Sequence, residues 1–207
     1  MNPRKTIYHF FGQISRLRHV MRWSMKHSHV PENCLEHSAE VAIICHALCL
    51  IRNEIVGGER LDPGTAALLG LLHESGEAVS GDIVSPVKYS DPEILKAIKT
   101  LEARAERLMV EQLPTELQAH YRPFVEHEFM PKEYARLLKS ADVIAALIKC
   151  EKEVMLGNGE FTEALEDLRK RLTQYDDMAE VKYFVDYCLP SYSMSFDRQM
   201  QIKLKPD

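Results

Sequence analysis

The sequence predicts an all-α protein, a single helical bundle of about eight helices in one domain over residues 1–207. Three observations lead to the helical class. Apolar residues recur at three- and four-residue spacing in segment after segment, and few windows alternate with the period of two that a half-buried strand needs. Helix-starting and helix-stopping residues fall between those segments. The chain, 207 residues at 45% apolar and 28% charged, can bury one ordinary core and shows no internal repeat or low-complexity tract.

The elements follow in order. A first helix is predicted over 7–23, in a stretch whose only charges are basic. The second, 35–52, places His37, Val41, Ile44, Leu48 and Ile51 on one face, with Gly57-Gly58 supplying permissive backbone beyond it. In the third, 63–79, Asp62 is the N-cap, Pro63 the first-turn residue, and an apolar run fills 66–72. The stretch 80–90 has no helical pattern, and an irregular segment inside a helical domain points to function. Asp91-Pro92 then opens a helix over 92–112, followed by one over 115–127. A long helix over 131–156 starts at Pro131 with Met130 as a poor cap, and ends before Gly157-Asn158-Gly159. Helices over 162–174 and 179–188 complete the set.

Charge narrows the partners. The formal net charge of −5 argues against a nucleic-acid polymer, which needs a basic surface. Residues 1–31 nevertheless hold six of the 26 Lys and Arg and no carboxylate, a local basic wall suited to a small anion. No second basic cluster is evident beyond residues 4–26. The N-terminal sequence lacks the apolar core and cleavage site of a secretory signal. The longest nearly apolar run, 41–51, is interrupted by His46 and falls short of the roughly 20 residues that span a bilayer. Five irregularly spaced cysteines do not form a disulfide framework, and Cys45 and Cys49 read as core filling. The expectation is a cytoplasmic, soluble, reduced protein with no membrane partner.

Three helices each carry an ionisable group on an apolar stripe: His37 on the second, His73, Glu74 and Glu77 on the third, and Asp142 on the long one. Each alone could be a hydrogen-bonded core residue. Together they offer two imidazoles and two carboxylates, a mixed N/O set that suits Mn, Co, Fe or Mg better than a structural zinc. Glu77, one turn beyond His73, is placed to shuttle a proton. The third-helix run His73-Glu74-Ser75-Gly76-Glu77 lacks the second histidine of the zincin HExxH, which excludes a metalloprotease on that pattern.

The order His, His-acidic, Asp on successive helices resembles the HD-domain phosphohydrolase superfamily. Within it, His9-Phe10-Phe11, Ser15-Arg16-Leu17, Arg22-Trp23, Glu32-Asn33, Glu36-His37-Ser38, Gly81-Asp82, Ser85-Pro86-Val87-Lys88-Tyr89, Ala141-Asp142 and Leu189-Pro190-Ser191 resemble the bacterial 5′-deoxynucleotidases over most of the chain. That resemblance implies His37, His73, Glu74 and Asp142 as metal ligands and Glu77 as the catalytic acid or base. It implies Arg22 and Trp23 as orienters of the phosphate, and Asp82, Ile83, Val84 and Ser85 as the nucleotide pocket, with His37, Glu74 and Asp142 also meeting substrate. Lys88 and Tyr89 are expected to anchor their loop. The implied reaction is hydrolysis of a deoxyribonucleoside 5′-monophosphate by a homodimer loaded with cobalt or manganese; Mg, Fe, Zn and Cu are the other candidate ions.

One position departs from the family pattern, which has Asp where this chain has Glu74. The extra methylene leaves three outcomes open: ligation kept through a changed rotamer, a shifted metal preference, or nucleotide binding without efficient hydrolysis. Two further readings stand beside the monophosphatase: a deoxynucleoside triphosphate triphosphohydrolase within the same chemistry, and a non-catalytic nucleotide sensor, motivated by Glu74. A di-iron oxygenase would need additional His or Asp ligands, for which the sequence offers no convincing set.

Overall fold

A computed structural model describes residues 6–201, so Arg4 and Lys5 of the basic N-terminal stretch lie outside the described residues. The described residues are helical throughout, with no strand beyond one isolated antiparallel bridge between Met21 and Asn33. Helices α1 (Phe10–Ile14), α2 (Cys34–Ile51) and α3 (Pro63–Leu72) are followed by two short ones, α4 (Glu77–Ser80) and α5 (Ser85–Lys88). Then come α6 (Pro92–Glu111), α7 (Thr115–Val125), α8 (Lys132–Met155), α9 (Thr162–Leu172), α10 (Ala179–Tyr187) and α11 (Phe196–Met200).

The caps explain most boundaries. Asn33 opens α2 with a capping box, its side chain accepting from the Glu36 N–H at 3.0 Å while the Glu36 carboxylate accepts from the Asn33 N–H at 3.4 Å. Asp62 and Asp91 cap α3 and α6 through the N–H groups of Thr65 and Glu93, at 2.6 and 2.7 Å. Pro131 falls at the cap of α8 rather than in its first turn.

The core converges on α8. One side packs Leu137, Ala141, Ile144 and Ala145 against Val41, Ile44 and Leu48 of α2, Leu69 of α3, and Val181 and Phe184 of α10. The other side packs Val143, Leu147 and Cys150 against Phe161 and against Leu165 and Leu168 of α9. A third cluster joins Phe10 and Leu72 to Met109, Val110, Leu113 and Val125. At about 1.5–3 kcal/mol per buried large side chain, this two-sided packing makes α8 a fixed reference for whatever it carries. The segment Cys34–Val56 has the length and mean hydropathy, 1.5, of a membrane span, but half of that window is buried in the interior; it is the central helix of the bundle.

Three expectations need correction. The first helix does not reach Trp23: α1 runs into a 3-10 turn over Ser15–His19, Val20 is extended, and Trp23 is left-handed at φ +57°. The helix expected over 63–79 breaks after Leu72 and restarts at Glu77. The stretch expected to be irregular contains the single-turn helix α5. Each correction falls beside the site described next.

Candidate active site

Two helices and the turn after a third bring four side chains with possible donor atoms to one point. His37 lies in the first turn of α2, His73 and Glu74 begin the turn after α3, and Asp142 is in the middle of α8. One donor atom from each lies within 4.8 Å of all the others. An ion with bonds of about 2.1 Å holds opposite ligands about 4.2 Å apart, so this spacing is one a cation can close.

Gly70 makes the meeting possible. A Cβ at this position would stand 2.7 Å from Ala42 Cα and 2.8 Å from Ala42 N, so only glycine lets the backbones of α2 and α3 approach this closely. The Gly70 carbonyl also accepts a hydrogen bond from His73 Nδ1 at 2.8 Å. That bond assigns the proton to Nδ1 and turns Nε2 toward the cluster. His73 Nε2 is buried without an aligned hydrogen-bond partner, 3.2 Å from Glu74 Oε1. His37 Nε2 stands 3.2 Å from Asp142 Oδ1. Buried imidazole nitrogens aimed at carboxylate oxygens form the donor set of a divalent cation, and the residues fit one.

The electrostatics are those of a desolvated charge cluster. Burial holds the His37 imidazole below its ordinary value, aided by nearby Arg22. For His73 burial acts in the same direction, but the Glu74 carboxylate outweighs it and raises the imidazole. Glu74 and Asp142 stay well below the usual carboxylate range although burial pushes both up, because His73 and Arg22 stabilise the first and His37 the second. Glu77 behaves oppositely: burial, then the charge of Glu74 beside it, pushes its carboxyl up to about 9. Two neighbouring carboxyl groups are thus driven apart, one ionised and one protonated.

The cluster opens on a cleft of about 500 Å³. Arg22, Trp23, Glu77, Asp82, Ile83 and Ser85 line it together with His73, Glu74 and Asp142. Two expected substrate contacts are not brought there: His37 is fully buried beneath the cleft, and Val84 turns its carbonyl to the N–H groups of Val87 and Lys88 to start α5. Lys88 and Tyr89 do reach the wall, where Lys88 is bound to Glu102 at 2.6 Å. Lys99, Lys139 and Arg171 also line it, a set of cations scattered too widely along the chain to be seen as a cluster. A second cleft of about 600 Å³, between α2, the end of α8 and residues 192–195, contains none of the four donors.

Arg22 sits in the turn that follows the bridge residue Met21 rather than on a helix. Its guanidinium donates to Glu32 Oε2 and to Glu74 Oε1, each at 3.2 Å, and Trp23 Nε1 donates to the same Glu32 oxygen at 3.1 Å. Burial works to lower the Arg22 pKa, but Glu74, Asp142, Glu32 and Glu77 overcome it and keep the group charged. Glu32 belongs to the Glu32-Asn33 stretch of the family resemblance but was given no role from the sequence, although it is the first carboxylate after a carboxylate-free stretch. Cys34 was also missed; its thiol donates to Glu77 Oε2 at 2.8 Å, a contact with no signal in a linear pattern.

Residues 9–192 match the YfbR-like 5′-deoxynucleotidase family. The chain belongs to that family. A 5′-deoxynucleotidase of Vibrio parahaemolyticus is 40% identical over 189 residues, 91% of this chain and 96% of that one. Another, of Erwinia tasmaniensis, is 38% identical over 95% of this chain and 98% of its own. The fold of this YfbR-like 5′-deoxynucleotidase family member is shared by an HD-domain phosphohydrolase from Listeria innocua, with a TM-score of 0.78 at 22% identity over 93% of this chain and 92% of that one. An HD phosphohydrolase of cyanophage S-2L, solved with dA and one catalytic zinc ion, aligns with a TM-score of 0.63 at 16% identity, over 92% and 99% of the two chains.

Proposed function

We propose that this chain is a metal-dependent 5′-deoxynucleotidase that hydrolyses deoxyribonucleoside 5′-monophosphates to deoxynucleoside and phosphate, working as one HD-type domain over 1–207. What carries this reading is a buried two-imidazole, two-carboxylate cluster opening on a cleft beside Arg22, in a chain of this family. His37, His73, Glu74 and Asp142 would hold a divalent ion, which when bound would supply charge for the phosphoryl oxygens and lower the pKa of water. Arg22 presents a planar fork of donors to the phosphate, and Trp23 beside it walls the cleft. Glu77, protonated at neutral pH, gives its proton to the departing 5′ oxygen. Asp82, Ile83 and Ser85 line the part of the cleft left for sugar and base. Cobalt or manganese is the ion we assign, on the mixed N/O donor set. We also assign a cytoplasmic location and a homodimer; the aromatic side chains of Tyr187 and Phe196, each 72% exposed in the single chain, are consistent with the homodimer alone.

The test is phosphate release from matched deoxyribo- and ribonucleoside monophosphates in Mn, Co and Mg. Release from the deoxy series with Mn or Co is expected. A metal-loaded protein that binds neither deoxynucleotide nor phosphate overturns the reading. Lys99, Lys139 and Arg171 in the cleft wall favour one second reading, a triphosphohydrolase; it requires tripolyphosphate from deoxynucleoside triphosphates.

A further inference from the structure

The segment that carries Arg22 and Trp23 is closed at its base by the bonds of both residues to Glu32, while residues 27–30 are held from outside it. Residues 20–33 contain one bridge, Met21 to Asn33, and Trp23 takes a left-handed conformation that a β-carbon disfavours. Its seat lies in the last turn of α8 and just beyond. Glu153, fully buried, accepts the N–H groups of His29 and Val30, both at 2.9 Å. Lys149, one turn earlier, pairs with Glu153 and donates to the Val30 carbonyl. Asn158 Nδ2 reaches both Glu153 Oε2, at 2.8 Å, and the His27 carbonyl, at 2.7 Å. Lys26 donates to the Glu160 carbonyl at 2.7 Å, and the Trp23 ring packs on Phe161 with centroids 5.4 Å apart.

A buried ion pair returns little net stability after desolvation, so its use here is geometric. Asp142 lies on the same helix, eleven residues before Glu153, or about 16 Å at the helical rise. One rigid element therefore carries a metal donor at its middle and the seat of the Arg22 segment at its end. We infer that Glu153, with Lys149 and Asn158, is a positioning residue for the substrate phosphate: it sets the Arg22-Trp23 segment at a fixed distance from the metal donors without touching substrate. This rests on the reading of Arg22 as a phosphate-binding residue.

Trp23 is the only tryptophan, so its fluorescence reports on this segment alone. Glu153→Gln removes the charge that holds two N–H groups and a lysine. In the metal-loaded enzyme it is expected to raise KM for a deoxynucleoside monophosphate about ten-fold or more, with metal content kept. Acrylamide quenching of Trp23 should rise in parallel and fall back toward wild type at saturating inorganic phosphate. A folded Glu153→Gln enzyme with wild-type KM and wild-type quenching overturns the inference. Should that variant fail to fold by circular dichroism, Asn158→Ala, which leaves the Glu153–Lys149 pair in place, is read the same way, and unchanged values overturn the inference equally. Arg22→Ala separates the two layers. If it leaves KM unchanged, the role of Arg22 fails and the positioning role with it, while a quenching change in Glu153→Gln still shows the seat.

Discussion

Glu74 Oε1 stands 3.2 Å from His73 Nε2 and 3.2 Å from Arg22 Nη1, so a single oxygen faces both the metal cluster and the guanidinium. The methylene that distinguishes Glu74 from the aspartate of the family pattern gives it that reach. Glu74→Asp shortens the side chain and loosens its hold on Arg22, freeing donors for the phosphate. The expected result is a KM several-fold lower with metal retained; steady-state kinetics beside metal analysis checks it. An unchanged KM would show that Arg22 is not restrained by Glu74. Glu77 gives the complementary case. It holds a proton because burial and Glu74 raise its carboxyl, and Cys34 fixes one of its oxygens. Glu77→Gln keeps the shape and removes the transferable proton. We expect kcat to fall about 10²–10⁴-fold with KM and metal content near wild type. If the variant instead arrives without metal, Glu77 is a ligand and not the acid.

At the scale of elements, the crossing of α2 and α3 decides whether the cluster exists. A Cβ on Gly70 meets backbone, not a flexible side chain, so the helices themselves must separate. Gly70→Ala is expected to cost about 3 kcal/mol, the upper end for overpacking, and to weaken metal binding by moving His73 away from His37. Urea unfolding and a metal titration on the folded variant check the two parts. The same region shows what a linear pattern can and cannot carry. α3, α6 and the long α8 were legible from Asp62-Pro63, Asp91-Pro92 and apolar periodicity, because those signals act within a few residues. His37, His73 and Asp142 stood out as ionisable groups on apolar stripes, each explicable alone as a core residue, and the fold brings their donor atoms together. The break after Leu72 was not legible. There His73 Nδ1 takes the Gly70 carbonyl and Ser75 Oγ takes the Leu72 carbonyl at 2.6 Å, so side chains occupy acceptors that a continuing helix would use. Nor was the end of the first helix, where Arg22 is drawn away by Glu32 and Glu74, ten and 52 residues distant.

Across the whole molecule, α8 joins the core clusters to the active site, and its buried Glu153 ties stability to pH. Burial pushes this carboxyl up, but Lys149, the Val30 and His29 N–H groups and Asn158 together hold it down to about 2, against an ordinary 4.5. A folded-state value below the unfolded one means that the unfolded chain binds the proton more readily. The stabilisation is therefore fully present above pH 4.5 and is lost as pH falls from 4.5 toward 2. Its size is about 3 kcal/mol, at 1.36 kcal/mol per unit; this is the difference between the ionised and the protonated carboxyl, not the net return of the buried ion pair. Urea unfolding followed by Trp23 fluorescence and by circular dichroism at pH 6, 4.5 and 3 should show stability falling most between the last two. Because opening the seat returns Glu153 to its ordinary proton affinity, acid favours that opening, and the fluorescence change should come at lower urea than the loss of helix at pH 3, and coincide with it at pH 6. Glu153→Gln, with no proton to gain, is expected to be less stable at pH 6 and to lose less between pH 4.5 and 3. An equal loss in the variant would assign the acid sensitivity to other carboxylates, Asp142 first among them, since it too is held far below its ordinary value.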